Sequence, residues 1–289
     1  MVFNKLKEYG GLVMFSHTVF SLPFGLMAMI WAANGLPELR VFFWILIALI
    51  GARNGANAFN RIADRDIDKK NERTKERHLP AGKVKLSEAY GVMIFCFAIL
   101  ALAAYELNIL CLILLPFAIA LFIFYSYTKR ITWLCHYILG AACGGAPVGA
   151  WIAVTGKITF PSLLLGAAVC MWVAGFDILY ATQDIDFDRQ EGLHSIPAKF
   201  GLNGARIIAA LSHIAAVLLL LIFCFALKRG VFYILGLAVV SMLLFIEHKG
   251  VKPENRSRMN FIAYHINQLV SIIFFIFALT DFFVMGGRL

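Results

Sequence analysis

Charged side chains are scarce in this chain of 289 residues: Asp, Glu, Lys and Arg make up 15% of it. A soluble domain carries about a quarter. Apolar residues make up 61%, and the mean hydropathy is +0.80. Together these exclude a soluble globular fold. No low-complexity linker breaks the chain, so residues 1–289 are read as one domain. The alternating ten-residue pattern of a membrane barrel is missing. No basic segment outside the apolar runs is long enough to form a domain, which argues against nucleic-acid binding. The six cysteines (Cys96, Cys111, Cys135, Cys143, Cys170 and Cys224) all lie in apolar runs, and none forms a C-x-x-C pair. They read as small lipid- or core-facing residues rather than redox or metal groups. The first apolar run holds His17 and lacks a small-residue cleavage site, which argues against a removable signal peptide.

What is present is a series of about nine apolar runs, centred near Met27, Ile47, Phe97, Phe117, Gly144, Val169, Leu218, Val239 and Phe274. A transmembrane helix needs ~20 such residues. Only helices or closed barrels satisfy their backbone in lipid. The fold class is therefore all-α integral membrane, a bundle of about nine transmembrane helices in a lipid bilayer.

The 26 basic and 17 acidic residues are placed unevenly. If the loop around Lys69 to Lys85 is cytoplasmic, so are Lys5, Lys7, Lys129, Arg130, Arg189, Lys199, Arg206, Lys249, Lys252, Arg256 and Arg258. Only Arg40, Lys157, Lys228, Arg229 and Arg288 fall on the other side, and Arg53 lies within the membrane. This asymmetry follows the positive-inside rule. The basic excess is thus chiefly a topology signal.

Two acidic stretches stand out: Asn60-Arg61-Ile62-Ala63-Asp64-Arg65-Asp66-Ile67-Asp68 and Tyr180-Ala181-Thr182-Gln183-Asp184-Ile185-Asp186-Phe187-Asp188. Each directly follows an apolar run. On a helix, residues i and i+4 share a face, so Asp64 and Asp68 align, as do Asp184 and Asp188. Clustered carboxylates near a membrane repel one another and are costly to desolvate. A divalent cation relieves this. Carboxylate oxygens suit Mg²⁺, which binds through one or two carboxylates plus substrate phosphate oxygens and water.

Polar stripes continue from both stretches into the membrane. Arg53, Asn57, Asn60, Asp64 and Asp68 recur at three- to four-residue steps, as do Asp177, Tyr180, Asp184 and Asp188. Intramembrane polar residues face a cavity or a partner, not lipid. Two facing stripes would line one polar cavity open to the cytoplasm. Arg73-Thr74-x-x-Arg77 follows the first cluster, and Lys129-Arg130 follows Tyr125-Ser126-Tyr127. These basic groups suit phosphate oxygens that a metal does not reach. Arg53 wants an anion: either Asp177 or a carboxylate on a substrate. Tyr125 and Tyr180 suit a developing carbocation. His17, His136, His213 and His265 show no ligand spacing and read as packing or hydrogen-bonding residues.

At these residues the chain resembles the UbiA superfamily of intramembrane prenyltransferases. Asn60, Asp64 and Asp68 are similar to its first motif, N-x-x-x-D-x-x-x-D; Tyr180, Asp184 and Asp188 are similar to its second, a D-x-x-x-D preceded by a tyrosine. The segment from Arg73 to Gly82 resembles its arginine-rich loop, with His78 in place of the usual proline. Tyr125 to Arg130 and the stretch from Gly140 to Gly156 also match. The resemblance implies nine helices around a central cavity at the cytoplasmic face of a bacterial inner membrane. It implies Mg²⁺ on Asn60, Asp64, Asp68, Asp184 and Asp188, bridging a polyprenyl diphosphate. Asp64, Asp68, Asp184 and Asp188 are then the catalytic carboxylates. Arg53, Asn60, Arg73, Arg77, Tyr125, Lys129 and Tyr180 are the substrate-binding candidates, with Arg53 directed at the carboxylate of a small aromatic acceptor. The implied activity is polyprenyl transfer to 4-hydroxybenzoate or a related carboxylated ring in ubiquinone or menaquinone biosynthesis. Phe15 to Phe24 lacks an arginine that some hydroxybenzoate members carry. A futalosine-pathway or naphthoate menaquinone precursor therefore stays open as the acceptor.

Two rivals fit less well. A CDP-alcohol phosphotransferase needs Asp-Gly where Asn60-Arg61 stands. A cation transporter would bury its carboxylates in broken helices within the bilayer, whereas these carboxylates stand at helix ends beside Arg and Lys.

Overall fold

The computed structural model describes residues 2–14, 18–250 and 256–284, with side chains described at all but 2–4, 6, 18–21 and 256–264. His17, Lys252 and Arg288, used above, lie outside the described residues, as does the start of the segment from Phe15 to Phe24. The described residues are almost entirely helical and contain no strand. Among the described residues, eight helices are long and apolar enough to cross a membrane. They account for every apolar run except the one near Met27. That run lies in α2 (Thr18–Ala33), whose 16 residues are fewer than the ~20 that a crossing needs.

The chain divides into two compact units. The first comprises Met1–Leu22 and Glu38–Tyr127. It contains α1 (Val2–Leu12), α3 (Leu39–Ala63), α4 (Arg65–Lys70), α5 (Leu86–Leu107) and most of α6 (Ile109–Thr128). α3 packs along α5. Gly51 permits the close approach: a Cβ there would stand 2.8 Å from the Cys96 carbonyl oxygen on α5. Small residues at such crossings are how membrane helices gain dispersion contact, since lipid gives no hydrophobic drive for them to associate. α1 anchors the polar loop that follows α4. Leu12 is buried with Leu79, Val84 and Ala89, with Tyr9 and Ile62 packed against them, and Lys5 pairs with Glu88 at 2.6 Å. The loop is thereby folded onto the end of α3 rather than left in solvent.

The second unit comprises Pro23–Pro37 and Thr128–Leu289. It contains α7 (Cys135–Thr155), α8 (Phe160–Ala181), α9 (Ile185–Gln190), α10 (Ile196–Ala226), α11 (Val231–Gly250), α12 (Arg256–Val284) and the second part of α2. α8 is its spine and packs on α7 and α10. A Cβ on Gly144 of α7 would collide with the Gly166 carbonyl of α8. An aromatic core of Trp31, Phe223, Tyr233 and Phe274 ties α2, α10, α11 and α12. The Tyr233 hydroxyl donates to the Leu220 carbonyl at 3.0 Å, so its one polar atom is satisfied within the core. Near the polar end, Ile178 and Leu179 of α8 are buried with Ile196, Ala205 and Ala209 of α10. That cluster sets the start of α10 beside the end of α8.

Candidate functional site

In the first unit α3 does not run unbroken through its acidic motif. It ends at Asp64, whose backbone is at φ −96°, ψ 4°, and a six-residue helix, α4, follows. The ladder survives the bend: Asp64 N–H donates to the Asn60 carbonyl at 2.9 Å, and Asp68 N–H to the Asp64 carbonyl at 2.7 Å. Asn60, Asp64 and Asp68 therefore keep the shared face that their spacing predicts. Asn60 Nδ2 donates to Asp64 Oδ2 at 2.9 Å.

Asp68 is 5% exposed and would be costly as a lone buried charge. Arg77 offsets that cost, with Nη1 at 2.7 Å from Oδ1 and 2.9 Å from Oδ2. Arg61 Nη1 stands 3.6 Å from Oδ2. The buried Thr74 hydroxyl donates to the Asp68 carbonyl at 3.0 Å and fastens the loop to α4. Arg73 is exposed in the same loop, its backbone N–H donating to Asn71 Oδ1. His78, in the position of the family's proline, lies 3.3 Å from Glu8 Oε2. Burial lowers the His78 pKa, against the pull of Glu8. Arg53, Asn57 and Asn60 are part-buried along one face of α3, and Asn57 Nδ2 donates to the Val13 carbonyl at 2.7 Å. Tyr125 is part-buried near the end of α6.

The second unit repeats this construction. α8 ends in a 3₁₀ turn, Thr182–Asp184, and the six-residue α9 follows. Asp184 sits at φ −98°, ψ 7°. Asp188 is 0% exposed, and Lys129 Nζ lies 2.7 Å from its Oδ1. Burial disfavours the Lys129 ammonium, but the Asp188 carboxylate outweighs this and the pKa is raised. Ser195, the N-cap of α10, donates through Oγ to Asp188 Oδ2 at 2.8 Å and accepts from Ala198 N–H. The Lys129 carbonyl accepts from His194 N–H at 2.7 Å. Between Trp172 and Asp184 the incompletely buried positions are Phe176, Asp177, Tyr180 and Gln183. They form one stripe at helical spacing, as the sequence predicts for Asp177 and Tyr180.

Spacing alone does not reveal Arg61 or Ser195 as contributors; a serine just before Ile196-Pro197 is an N-cap signal that identifies Ser195. The helix end expected at Asp64 is observed; the short helices that resume after Asp64 and Asp184 are what spacing did not foretell.

Among the described residues, no three His, Cys, Asp or Glu side chains converge as a complete metal cage. The oxygen donors at each bend instead fit Mg²⁺, which takes one or two protein carboxylates and completes its shell with phosphate oxygens and water. Asn60, Asp64 and Asp68 would hold it at one bend, and Asp184 and Asp188 at the other.

The profile described as the UbiA prenyltransferase family matches residues 21–278. A 4-hydroxybenzoate octaprenyltransferase of Shewanella halifaxensis is 32% identical over 264 residues, 90% of this chain and 90% of that one. The enzyme of the same name from Pseudoalteromonas translucida is 32% identical over 249 residues, 86% of this chain and 84% of that one. The apo structure of a UbiA homologue from Aeropyrum pernix K1 superposes with a TM-score of 0.84 at 32% identity, covering 92% of this chain and 98% of that one. A UbiA homologue from Archaeoglobus fulgidus bound to DMAPP and Mg²⁺ superposes with a TM-score of 0.71 at 19% identity, covering 96% of this chain and 99% of that one, and attests the shared fold.

Proposed function

The chain belongs to the UbiA prenyltransferase family, and we propose that it transfers a polyprenyl group from a prenyl diphosphate to an aromatic acceptor, 4-hydroxybenzoate or a related ring, in quinone biosynthesis. The chain is a multi-pass membrane protein, and the charge asymmetry supports a site at the cytoplasmic face of a bacterial inner membrane. One observation carries the reading: each unit ends a membrane helix on an aspartate in the same bend, followed by a buried aspartate held by a cation. Acidic groups that share their place with Arg and Lys suit an anionic diphosphate brought in with Mg²⁺ better than a bare cation.

In this reading Mg²⁺ supplies Lewis-acid withdrawal of electron density from the diphosphate. Arg77 and Lys129 stand beside the carboxylates and neutralise phosphate oxygens as charge moves onto the leaving group. The C1–O bond of the prenyl diphosphate breaks, and diphosphate leaves with the electron pair. Tyr125 and Tyr180 offer ring faces to the allylic cation. The membrane-embedded chain keeps bulk water, a competing nucleophile, from that cation. Arg53 binds the acceptor's carboxylate and fixes the ring, whose carbon forms the new bond to C1. The displaced ring proton passes to an aspartate carboxylate or to water.

The test is product mass. Purified enzyme in lipid nanodiscs is given geranyl or longer prenyl diphosphates with Mg²⁺ and a panel of ring acceptors that includes 4-hydroxybenzoate. Prenylated 4-hydroxybenzoate that disappears with EDTA and returns with Mg²⁺ is the expected product. A different prenylated ring would move the acceptor; diphosphate uptake into liposomes without any transfer would refute the enzyme reading.

A further inference from the structure

His136 and Asp177 form a part of the second unit that the family motifs leave unused. His136, on the first turn of α7, is 2% exposed, and its Nδ1 lies 2.7 Å from Asp177 Oδ2 on α8. Its other ring nitrogen, Nε2, faces the backbone N–H of Ile196 at 3.3 Å. A backbone N–H only donates, so Nε2 accepts. The ring proton therefore sits on Nδ1 and is donated to the Asp177 carboxylate.

Ile196 is the first residue of α10, and Ser195 just before it binds Asp188. One helix terminus thus holds two carboxylates: Asp188 directly through Ser195, and Asp177 through the His136 ring. Asp177 is not consumed by this contact. Its side chain is 25% exposed, on the stripe of α8 that carries Tyr180 and continues to Asp184. A carboxylate does not turn an exposed edge to lipid; it faces a polar space.

We propose that His136 is a positioning residue that locks the Asp177 carboxylate to the start of α10, and that Asp177, held this way, accepts the hydrogen bond of a ring hydroxyl on the aromatic acceptor. The inference rests on the functional reading above. An ionised carboxylate accepts only, so the site selects a ring with a hydroxyl donor. The hydrogen bond also moves electron density into the ring, at the carbons beside the hydroxyl, where an allylic cation is attacked. His136 supplies rigidity: with the tautomer set by a backbone N–H, the carboxylate cannot swing away to another donor.

The experiment uses the full-length protein in nanodiscs with geranyl diphosphate, Mg²⁺ and 4-hydroxybenzoate. His136→Leu removes both hydrogen bonds. The acceptor KM should rise about tenfold or more, while the KM for geranyl diphosphate stays within about twofold, because only one substrate meets Asp177. Glutamine can accept from the Ile196 N–H and donate to Asp177, so His136→Gln should return the acceptor KM to within about threefold of wild type. Asp177→Asn puts a donor into the site and should weaken the preference for 4-hydroxybenzoate over 4-methoxybenzoate, which has no hydroxyl proton to donate. Equal shifts in both KM values, a glutamine variant as impaired as the leucine variant, or an unchanged preference in Asp177→Asn would each overturn the proposal. Nitrogen-15 NMR of the histidine ring gives a readout that does not depend on turnover. Wild type should show the Nδ1–H form of His136, and an Nε2–H form would refute the positioning role even in an active enzyme. A wild type inert towards every ring acceptor, by contrast, would sink the functional reading and Asp177's substrate role together, leaving the tautomer to decide His136 alone.

Discussion

Asp64 and Asp184 share one backbone conformation, φ −96°, ψ 4° and φ −98°, ψ 7°, although 120 positions separate them in the chain. Both lie in the sparsely populated bridge region where many active-site residues are found. Each ends a membrane helix, starts a six-residue helix, and precedes by four positions an aspartate that is buried and charge-paired. The repeat is therefore structural as well as sequential. In both motifs the second aspartate is buried, and in the second motif Asp184 is buried as well.

Replacing Asp64 or Asp184 with Ala should abolish most turnover and leave the helical fold intact. Losing one metal-bridging carboxylate is expected to cost ~3 kcal/mol or more in the transition state, about a hundredfold in rate. The measurement is the initial rate of prenyl transfer at limiting Mg²⁺, with circular dichroism as the fold control. Near-normal rates in both variants would remove the metal assignment.

Arg77 holds the buried Asp68, and the proposed function gives it a second part, against the diphosphate. Arg77→Met should lower stability by about 3 kcal/mol, since it strips the main partner from a buried carboxylate. It should also raise the prenyl diphosphate KM and leave the acceptor KM unmoved. A double variant that also carries Asp68→Asn should recover stability but not activity, because the charge that needed Arg77 has gone. Recovery of both would confine Arg77 to structure.

Lys129 sets a pH dependence of stability in the alkaline range; burial raises the Asp188 pKa, and that carboxylate acts at the acid end. The folded pKa of Lys129 is raised above its ordinary value of 10.5. Its contribution is then complete below that value and is lost as pH climbs through the folded pKa. Wild type should keep this stabilisation at neutral pH and shed it only in the alkaline range above 10.5. Lys129→Met should be less stable at pH 7 and lack that alkaline step. Thermal melts of both proteins between neutral and strongly alkaline pH check it; parallel curves would dismiss the pair as a source of stability.

The proposed function gives Arg53 the acceptor's carboxylate. Arg53→Ala should raise the KM for 4-hydroxybenzoate by a factor corresponding to ~2–4 kcal/mol, the cost of breaking a desolvated charge pair, and change the prenyl diphosphate KM little. Wild type should also use phenol, which lacks the carboxylate, poorly. Equal use of phenol and the acid would mean that no carboxylate is read.

Much of this was legible in the chain itself. Hydropathy fixed the membrane class, because a helix spanning lipid must be apolar over its whole length, and eight of the nine runs became helices of crossing length. The run near Met27 lies in α2, whose 16 residues fall short of the ~20 that a crossing needs. The shared faces of Asn60, Asp64 and Asp68 were legible too, because a spacing of four is a local property of the backbone. The bends were not. The apolar runs stop near Asp64 and Asp184, which marks helix ends there, but nothing in the motifs marks the short helix that resumes after each aspartate.

The partners of the buried carboxylates were likewise out of reach. Arg77 comes to Asp68 because Thr74 and the α1 cluster fold the loop back, and Lys129 comes to Asp188 from the connection between α6 and α7. His136 lies 41 positions from Asp177 and 60 from Ile196, and by sequence it is one polar residue in an apolar run. Periodicity and hydropathy are local, and they settle the membrane helices, the residue types at their ends and the oxygen-rich chemistry they offer. Packing settles which cation stands beside which carboxylate and which tautomer His136 holds, because a buried charge takes its partner from whatever the packed fold brings within about 3 Å, at any distance along the chain.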